Sequence, residues 1–304
     1  MNVWLITGEA GLNRLTPRAL LDAAAGEGVT IRPVLPERCA CVMRAGALEV
    51  WEQGQRLPLP DAALSWRAST GDHNVLSFCR HLEAAGVVVV NPTEALACGR
   101  DKGATLQKVA AAGLPVPWSA LAHPLAPPPV TLPVVVKEVV GAGGTGVFLC
   151  RTAAELERTL ARLAQRPGES VLFQAFVTCE PVFDLKVCVV DGQVVGGIRR
   201  VARSGEWRAN MAAGAKAEVW DVDPDSARLA VAACRAVGLD IGGVDLLLGP
   251  EGLLFNEVNP APQFAEGGEQ APWIGEMCAR IFQLLRARHR PLRADPEGHQ
   301  QRHL

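Results

Sequence analysis

"VVVKEVVGAGGTGVFLC", residues 134–150, restricts the fold more than any other stretch, because a glycine run sits there between two segments that both read as strand. Gly141, Gly143 and Gly146 have the G-x-G-x-x-G spacing that, in a dinucleotide-binding unit, leads directly into a helix facing a pyrophosphate. Here the β-branched and apolar run "VFLC" follows Gly146, and a helix begins only at Thr152, where Thr152 and Glu155 have capping-box spacing. No Gly-Lys-Ser/Thr follows either, which excludes a P-loop. The loop is therefore expected at the tip of an antiparallel hairpin. Such a tip, lacking Cβ atoms, can bring N–H groups close to phosphate oxygens as a flap; a merely mobile hairpin is the other reading.

Lys137 ends the apolar strand ahead of this loop. The chain has 25 Arg against five Lys, at 102, 108, 137, 186 and 216, so a lysine is the exception. An ammonium in an apolar strand needs an anion or a path to water, and Lys137 is placed either to hold nucleotide phosphates or to snorkel from a sheet edge.

A second constellation lies in "GGVDLLLGPEGLLFNEVN". Folding it about residues 249–252 sets Asp245 opposite Glu257, with Asn259 two residues on and on the same face. Two carboxylates and an amide oxygen among apolar residues suit a hard cation such as Mg²⁺, which takes few protein oxygens and completes its shell with water and phosphate. A solvated, purely structural hairpin is the alternative. Arg199, Arg200, Arg203 and Arg208 form a basic cluster in an acidic chain, either a grip on phosphate or carboxylate or an ordinary solvated face.

Around these motifs the order of elements changes along the chain. Residues 1–96 alternate short apolar runs with helical patterns, including "TPRALLDAAAGEG" with Thr16 as N-cap and Pro17 at N1, and read as a parallel α/β lobe. The helix in "DKGATLQKVAAAG" ends at Gly113, and the proline-rich 114–133 reads as a linker or rim. Beyond it come hairpins, among them "DLKVCVVDGQVVGGIRRVA" about Asp191-Gly192, and a helix capped by Asp223 and ended by Gly238, which together read as α+β.

In order and spacing, "RDKGATLQKVAAAGLPVP", "PVVVKEVVGAGGTGV", "VLFQAFV", "DLKVCVVDGQVVGGIRR", "EWRANMAAGAKAE", "GGVDLLL" and "NEVN" resemble the ATP-grasp carboxylate-amine ligases. The likeness is greatest to the RimK type, which adds glutamate to a ribosomal protein, with features of the LysX type of lysine biosynthesis. It implies an ATP-grasp fold, α/β plus α+β: an N-terminal lobe over 1–96, a central lobe with the flap over 97–170, a C-terminal lobe with the metal site over 171–288, and a flexible tail, 289–304. The two antiparallel-sheet lobes would clasp ATP.

The same resemblance assigns roles. Lys102 and Lys137 would contact nucleotide phosphates beneath Gly143, Gly144, Thr145 and Gly146. Gln174, Ala175, Phe176 and Val177 would form the adenine hinge, Asp184 a further nucleotide contact, and Arg208, Ala209 and Asn210 the terminal-phosphate side, with Arg208 and Lys137 catalytic. Lys186, Arg199 and Arg200 would meet substrate, while Asp245, Glu257 and Asn259 would hold two Mg²⁺ ions, or Mn²⁺ in their place. The reaction implied phosphorylates a carboxylate and lets an amine displace the phosphate. The amine would be glutamate or a related amino acid and the acceptor a small molecule, peptide or carrier protein; a homo-oligomer is also implied. Departures are Ala175 where the family has Glu, Leu185-Lys186 where it has Ile-Arg, and Pro260-Ala261-Pro262-Gln263-Phe264 where the RimK type has Ala-Ser-Pro-Gly. A nucleotide-binding module without turnover is the competing class.

Composition narrows the partners. A net charge of -2 and pI near 6.3 give no broad basic surface for nucleic acid, and no stretch approaches the ~20 apolar residues of a membrane span. Nine cysteines without a C-x-x-C pair suit reduced core thiols, and a cytoplasmic location is expected. The six histidines and seven tryptophans are assigned to core, surface or tail.

Overall fold

The computed structural model describes residues 1–66, 73–141, 144–165, 169–263 and 271–289. Its first sheet is built on β1 (Asn2–Ile6), whose last four residues are buried, as a strand covered on both faces requires. Two short helices, α1 (Glu9–Leu12) and α2 (Leu15–Ala24), lead to β2 (Thr30–Val34). A three-stranded antiparallel meander follows, β3 (Cys39–Arg44), β4 (Ala47–Glu52) and β5 (Gln55–Leu57), before the chain returns through β6 (Ala62–Ser65), α3 (His73–Ala84) and β7 (Val88–Val90). The parallel order is β2-β1-β6-β7.

Two local expectations differ. The meander interrupts the alternating pattern, because "CACVMR" and "ALEVWE" pair through a tight turn at Gly46, which has φ +75°. Helix α2 starts at Leu15 with Arg14 at its N-cap, so Thr16 and Pro17 lie inside the first turn, both buried.

After α4 (Thr93–Arg100), α5 (Lys102–Ala111) is capped by Asp101, whose Oδ1 accepts the Ala104 N–H at 2.8 Å. The proline-rich stretch is more than a linker: it contains β8 (Ser119–Ala122), the edge of a second sheet. That sheet comprises β9 (Val134–Glu138), β10 (Val147–Cys150) and β11 (Val171–Ala175) in the order β10-β9-β11-β8. β9 and β10 pair antiparallel, Lys137 opposite Val147, so the glycine run is a hairpin tip. Helix α6 (Ala153–Leu163) begins with the Thr152/Glu155 capping box.

The third sheet has β12 (Phe183–Val190), β13 (Gln193–Val201), β14 (Lys216–Trp220), β15 (Ile241–Gly249) and β16 (Gly252–Asn259) in the antiparallel order β14-β13-β12-β15-β16. Helix α7 (Pro224–Val237), capped by Asp223 and closed by Gly238 at φ +88°, packs on it. Helix α8 (Ile274–Arg288) joins this sheet to the first lobe, since Ile281 and Phe282 share one core with Leu20, Leu64 and Cys188. His289, placed at the start of the tail by sequence, donates its N–H to Leu285 and has Nδ1 3.1 Å from the Asp61 carbonyl; 290–304 lie outside the described residues. Among the described residues no helix is long and apolar enough to cross a membrane, and all nine cysteines are free thiols.

Candidate active site

The β15–β16 hairpin brings Asp245 opposite Glu257 and Gly243 opposite Asn259. Between Asp245 and Leu246 the register slips: Leu246 pairs with Phe255, leaving Asn256 as the extra residue of a bulge. Bulges re-aim side chains. Asn256, which strict alternation would send away from Glu257, instead lines the same cleft and accepts a 2.9 Å hydrogen bond from Lys137 Nζ on Oδ1. Sequence pattern gave no sign of Asn256, because a bulge breaks the very alternation from which faces are assigned.

Beside the hairpin lies a buried charge network. Arg200 clamps Asp184 through Nε and Nη2, both at 2.7 Å, and reaches Asp245 Oδ2 at 2.9 Å; Lys186 Nζ is 4.0 Å from Asp245 Oδ1. The strand registers impose this, pairing Asp184 with Arg200 and Lys186 with Asp245. The four side chains are only 5–7% or, for Asp245, 3% exposed. Burial would push Asp245 up, but Arg200 and then Lys186 outweigh it and hold the carboxyl below its usual value. For Asp184 burial prevails over Arg200, and its carboxyl is raised. The two acids share one guanidinium, bidentate to Asp184 and in single contact with Asp245.

Lys137, buried in β9, is driven down to about 8 by desolvation, partly offset by Glu257. Lys102, at the first turn of α5, donates to the Gly141 carbonyl at 2.8 Å and so joins α5 to the hairpin tip. Gly144 and Gly146 take φ +76° and +72°. A Cβ on Gly144 would fall 2.3 Å from Asn210 Nδ2, and one on Gly146 2.6 Å from Glu138 Cδ; glycine is favoured at both by backbone sign, and any side chain would also force the end of Asn210 or of Glu138 to move. The tip thus closes onto Asn210 of the third sheet's lobe. Thr145 is exposed beside it, and Gly143 lies outside the described residues.

Lys102, Lys137, Gly144, Thr145 and Asn210 line one cleft of about 310 Å³ with the charge network and the hairpin carboxylates. On its far wall Gln174 is buried with Nε2 3.2 Å from Ser119 Oγ, the Ala175 N–H is bound to the Trp118 carbonyl at 2.8 Å, and Phe176 and Val177 continue the wall. Phe176 meets Trp207 edge to face at 6.0 Å, and Arg208 lies 5.4 Å over the Trp207 ring. Arg208, beside Ala209 and Asn210, is held by Glu206 through two 3.1 Å contacts. Trp207 is therefore a wall residue, where sequence had left the tryptophans to core, surface or tail.

The expected arginine cluster is split. Arg199 and Arg200 are consecutive on β13 and face opposite ways; Arg199 stacks 4.2 Å over Phe183 while Arg200 enters the cleft. Arg203 is exposed past the strand end, against Gly214. Arg14, unmarked by any motif, reaches the cleft from the N-cap of α2. Only the packing of the first lobe on the third sheet brings it there.

The donors fit a hard cation. Asp245 Oδ1 is buried without a hydrogen-bond partner among the described residues, Glu257 stands opposite, and Asn259 adds an amide oxygen at the same end of the hairpin. Among the described residues no three His, Cys, Asp or Glu side chains form a self-contained cage.

Comparison with known proteins bears on this geometry. The model of the RimK-like ATP-grasp domain matches residues 99–271. A "Probable alpha-L-glutamate ligase" of Thioalkalivibrio sulfidiphilus is 29% identical over 307 residues, covering 98% of this chain and 99% of the relative. The ribosomal protein bS6–L-glutamate ligase of Salmonella schwarzengrund is 28% identical over 276 residues, covering 88% and 90%. Among solved structures, the ATP-grasp ligase PsnB with minimal precursor, Mg and ADP superposes with a TM-score of 0.67 at 21% identity, covering 95% of this chain and 97% of its own. The macrocyclase MdnC of Microcystis aeruginosa, bound to precursor peptide MdnA, gives 0.68 at 16%, covering 94% and 98%.

Proposed function

Since the chain belongs to the RimK-like ATP-grasp family and is an ATP-dependent ligase that joins an acid to an amine, we propose that it extends a peptide or protein carboxylate with glutamate or a related amino acid. The observation that carries this reading is the convergence of Asp245, Glu257 and Asn259 with Lys137 and Lys102 beneath one glycine hairpin. The Ala175 N–H is bound to Trp118, so Phe176 and Val177 would be the ones to offer main-chain groups to adenine, a contact that would not depend on the side chain at 175.

Lys102 and Lys137 neutralise the phosphate chain, with Gly144, Thr145 and Gly146 closing over it. Mg²⁺ held by Asp245, Glu257 and Asn259 would neutralise charge on the transferred phosphoryl group. Arg208, released from Glu206, reaches the terminal phosphate, while Lys186, Arg200 and Arg14 give the cleft the positive field that an acceptor carboxylate requires. The acceptor carboxylate attacks the γ-phosphorus and ADP leaves; the amine then attacks the acyl carbon, phosphate leaves, and the amine's proton is lost. The nearby Pro260–Gln263 segment replaces the RimK-type loop and would shape the amine's subsite.

The test is phosphate release from ATP and Mg²⁺ across a panel of amino acids and peptide carboxylates, read with product mass. A condensed amide that appears only with a particular amine supports the reading. Tight ATP binding with no release in any pairing of a panel that includes purified carrier and ribosomal proteins rejects it in favour of a binding module.

A further inference from the structure

The ladder between β15 and β16 ends at the pair Gly243–Asn259, and the residue after β16 is Pro260, which has no N–H to carry it further. The place of the missing peptide is taken by a side chain from the first lobe. Asn91, directly after β7 and 1% exposed, donates from Nδ2 to the Ile241 carbonyl at 2.8 Å and to the Pro260 carbonyl at 2.9 Å, while its Oδ1 accepts the Ile241 N–H at 2.7 Å. One carboxamide thus ties together the start of β15 and the residue after β16. On its other side the Pro260 ring rests on α4, where a Cβ at Gly99 would lie 3.2 Å from Pro260 Cγ.

We infer that Asn91 is a positioning residue for the metal-binding hairpin: it fixes the open end of β15–β16 and, through Pro260, sets where Asn259 stands relative to Asp245 and Glu257. The inference rests on the metal assignment proposed above. Both an acceptor and a two-proton donor are needed at this point, a requirement that Asn meets and Asp does not. Aspartate would keep the bond from the Ile241 N–H but turn an oxygen toward two carbonyls. Mutation of groups that orient metal ligands typically lowers metal affinity by 10–100-fold.

The experiment is an ADP titration of the full chain at a series of Mg²⁺ concentrations, with melting temperature followed in parallel. Asn91→Asp is expected to raise the Mg²⁺ midpoint roughly tenfold, while ADP affinity without metal stays within about twofold. Gly99→Ala presses on Pro260 from α4 without touching Asn91 and places a good helix former in the helix; it is expected to raise the midpoint about threefold with no loss of melting temperature. Unchanged midpoints in both variants, with only a lower melting temperature in Asn91→Asp, would overturn the inference. If Asn91→Asp fails to fold, Gly99→Ala alone decides. Glu257→Gln separates the two levels: a midpoint that moves there but not in the Asn91 and Gly99 variants removes the strut alone, and one that moves in none removes the metal assignment with it.

Discussion

Two hairpins face each other across the cleft, and they are built on opposite principles. The β9–β10 lid has four ladder pairs below a glycine tip whose backbone takes positive φ at Gly144 and Gly146. The β15–β16 floor has seven pairs, a bulge that turns Asn256 inward, and an open end held by Asn91. The lid tip is poor in side chains, which on the proposed function would let backbone approach a ligand; charged side chains are concentrated beside the floor and fixed by Arg200. On the proposed function, substrate closure would belong to the first and charge placement to the second, so lid changes should act chiefly on affinity and floor changes chiefly on stability and turnover.

The largest effect that would break this contrast is at Arg200. Arg200→Ala leaves two buried carboxylates without their guanidinium and should lower stability by about 3–5 kcal/mol in urea denaturation; a loss below about 1 kcal/mol would mean the network does not brace the floor. Lys137→Met should weaken ATP binding by about 1.5–3 kcal/mol, roughly 10–160-fold, in calorimetric titration, because one charge-assisted phosphate contact would be lost. Gly144→Ala combines the cost of an L-residue at φ +76° with a clash at Asn210, and should destabilise by about 1–2 kcal/mol while weakening nucleotide binding several-fold with little change in Mg²⁺ dependence. The smallest effect is on pH. On the proposed function the charged form of Lys137 would be the one that holds phosphate, and burial brings its pKa down to about 8, so ATP affinity should fall as pH rises through 8, by at most about tenfold per unit. Lys137→Arg keeps its charge through that range and should flatten the limb.

The floor's central pair was legible because two-residue alternation and a Gly-containing turn fix which residues oppose, and Asp245 does stand opposite Glu257. The lid was legible because "VFLC" after Gly146 contradicts a helix. Periodicity failed where structure departs from it or where partners are distant. The bulge at Asn256 inverts a face; the bond from Asn91 to Pro260 spans 169 residues and leaves no local trace. Arg14 reaches the cleft only through packing between lobes, and Trp207 from the loop after β13, where no periodicity assigns a face. The adjacent Arg199 and Arg200 read as one cluster in composition, although a strand must separate them. β8 was hidden by prolines on both sides of "SALA", which itself pairs regularly with β11.

The central claim is that the floor hairpin, through Glu257, supports metal-dependent phosphoryl transfer, and the most direct measurement is Mg²⁺-dependent phosphate release by wild type and Glu257→Gln under the pairing of amine and acceptor that gives amide. The expected result is saturable release in wild type and none above background in Glu257→Gln at any Mg²⁺ concentration, with melting temperatures within a few degrees. Release by a folded Glu257→Gln protein at the wild-type rate and the wild-type Mg²⁺ midpoint would contradict the account.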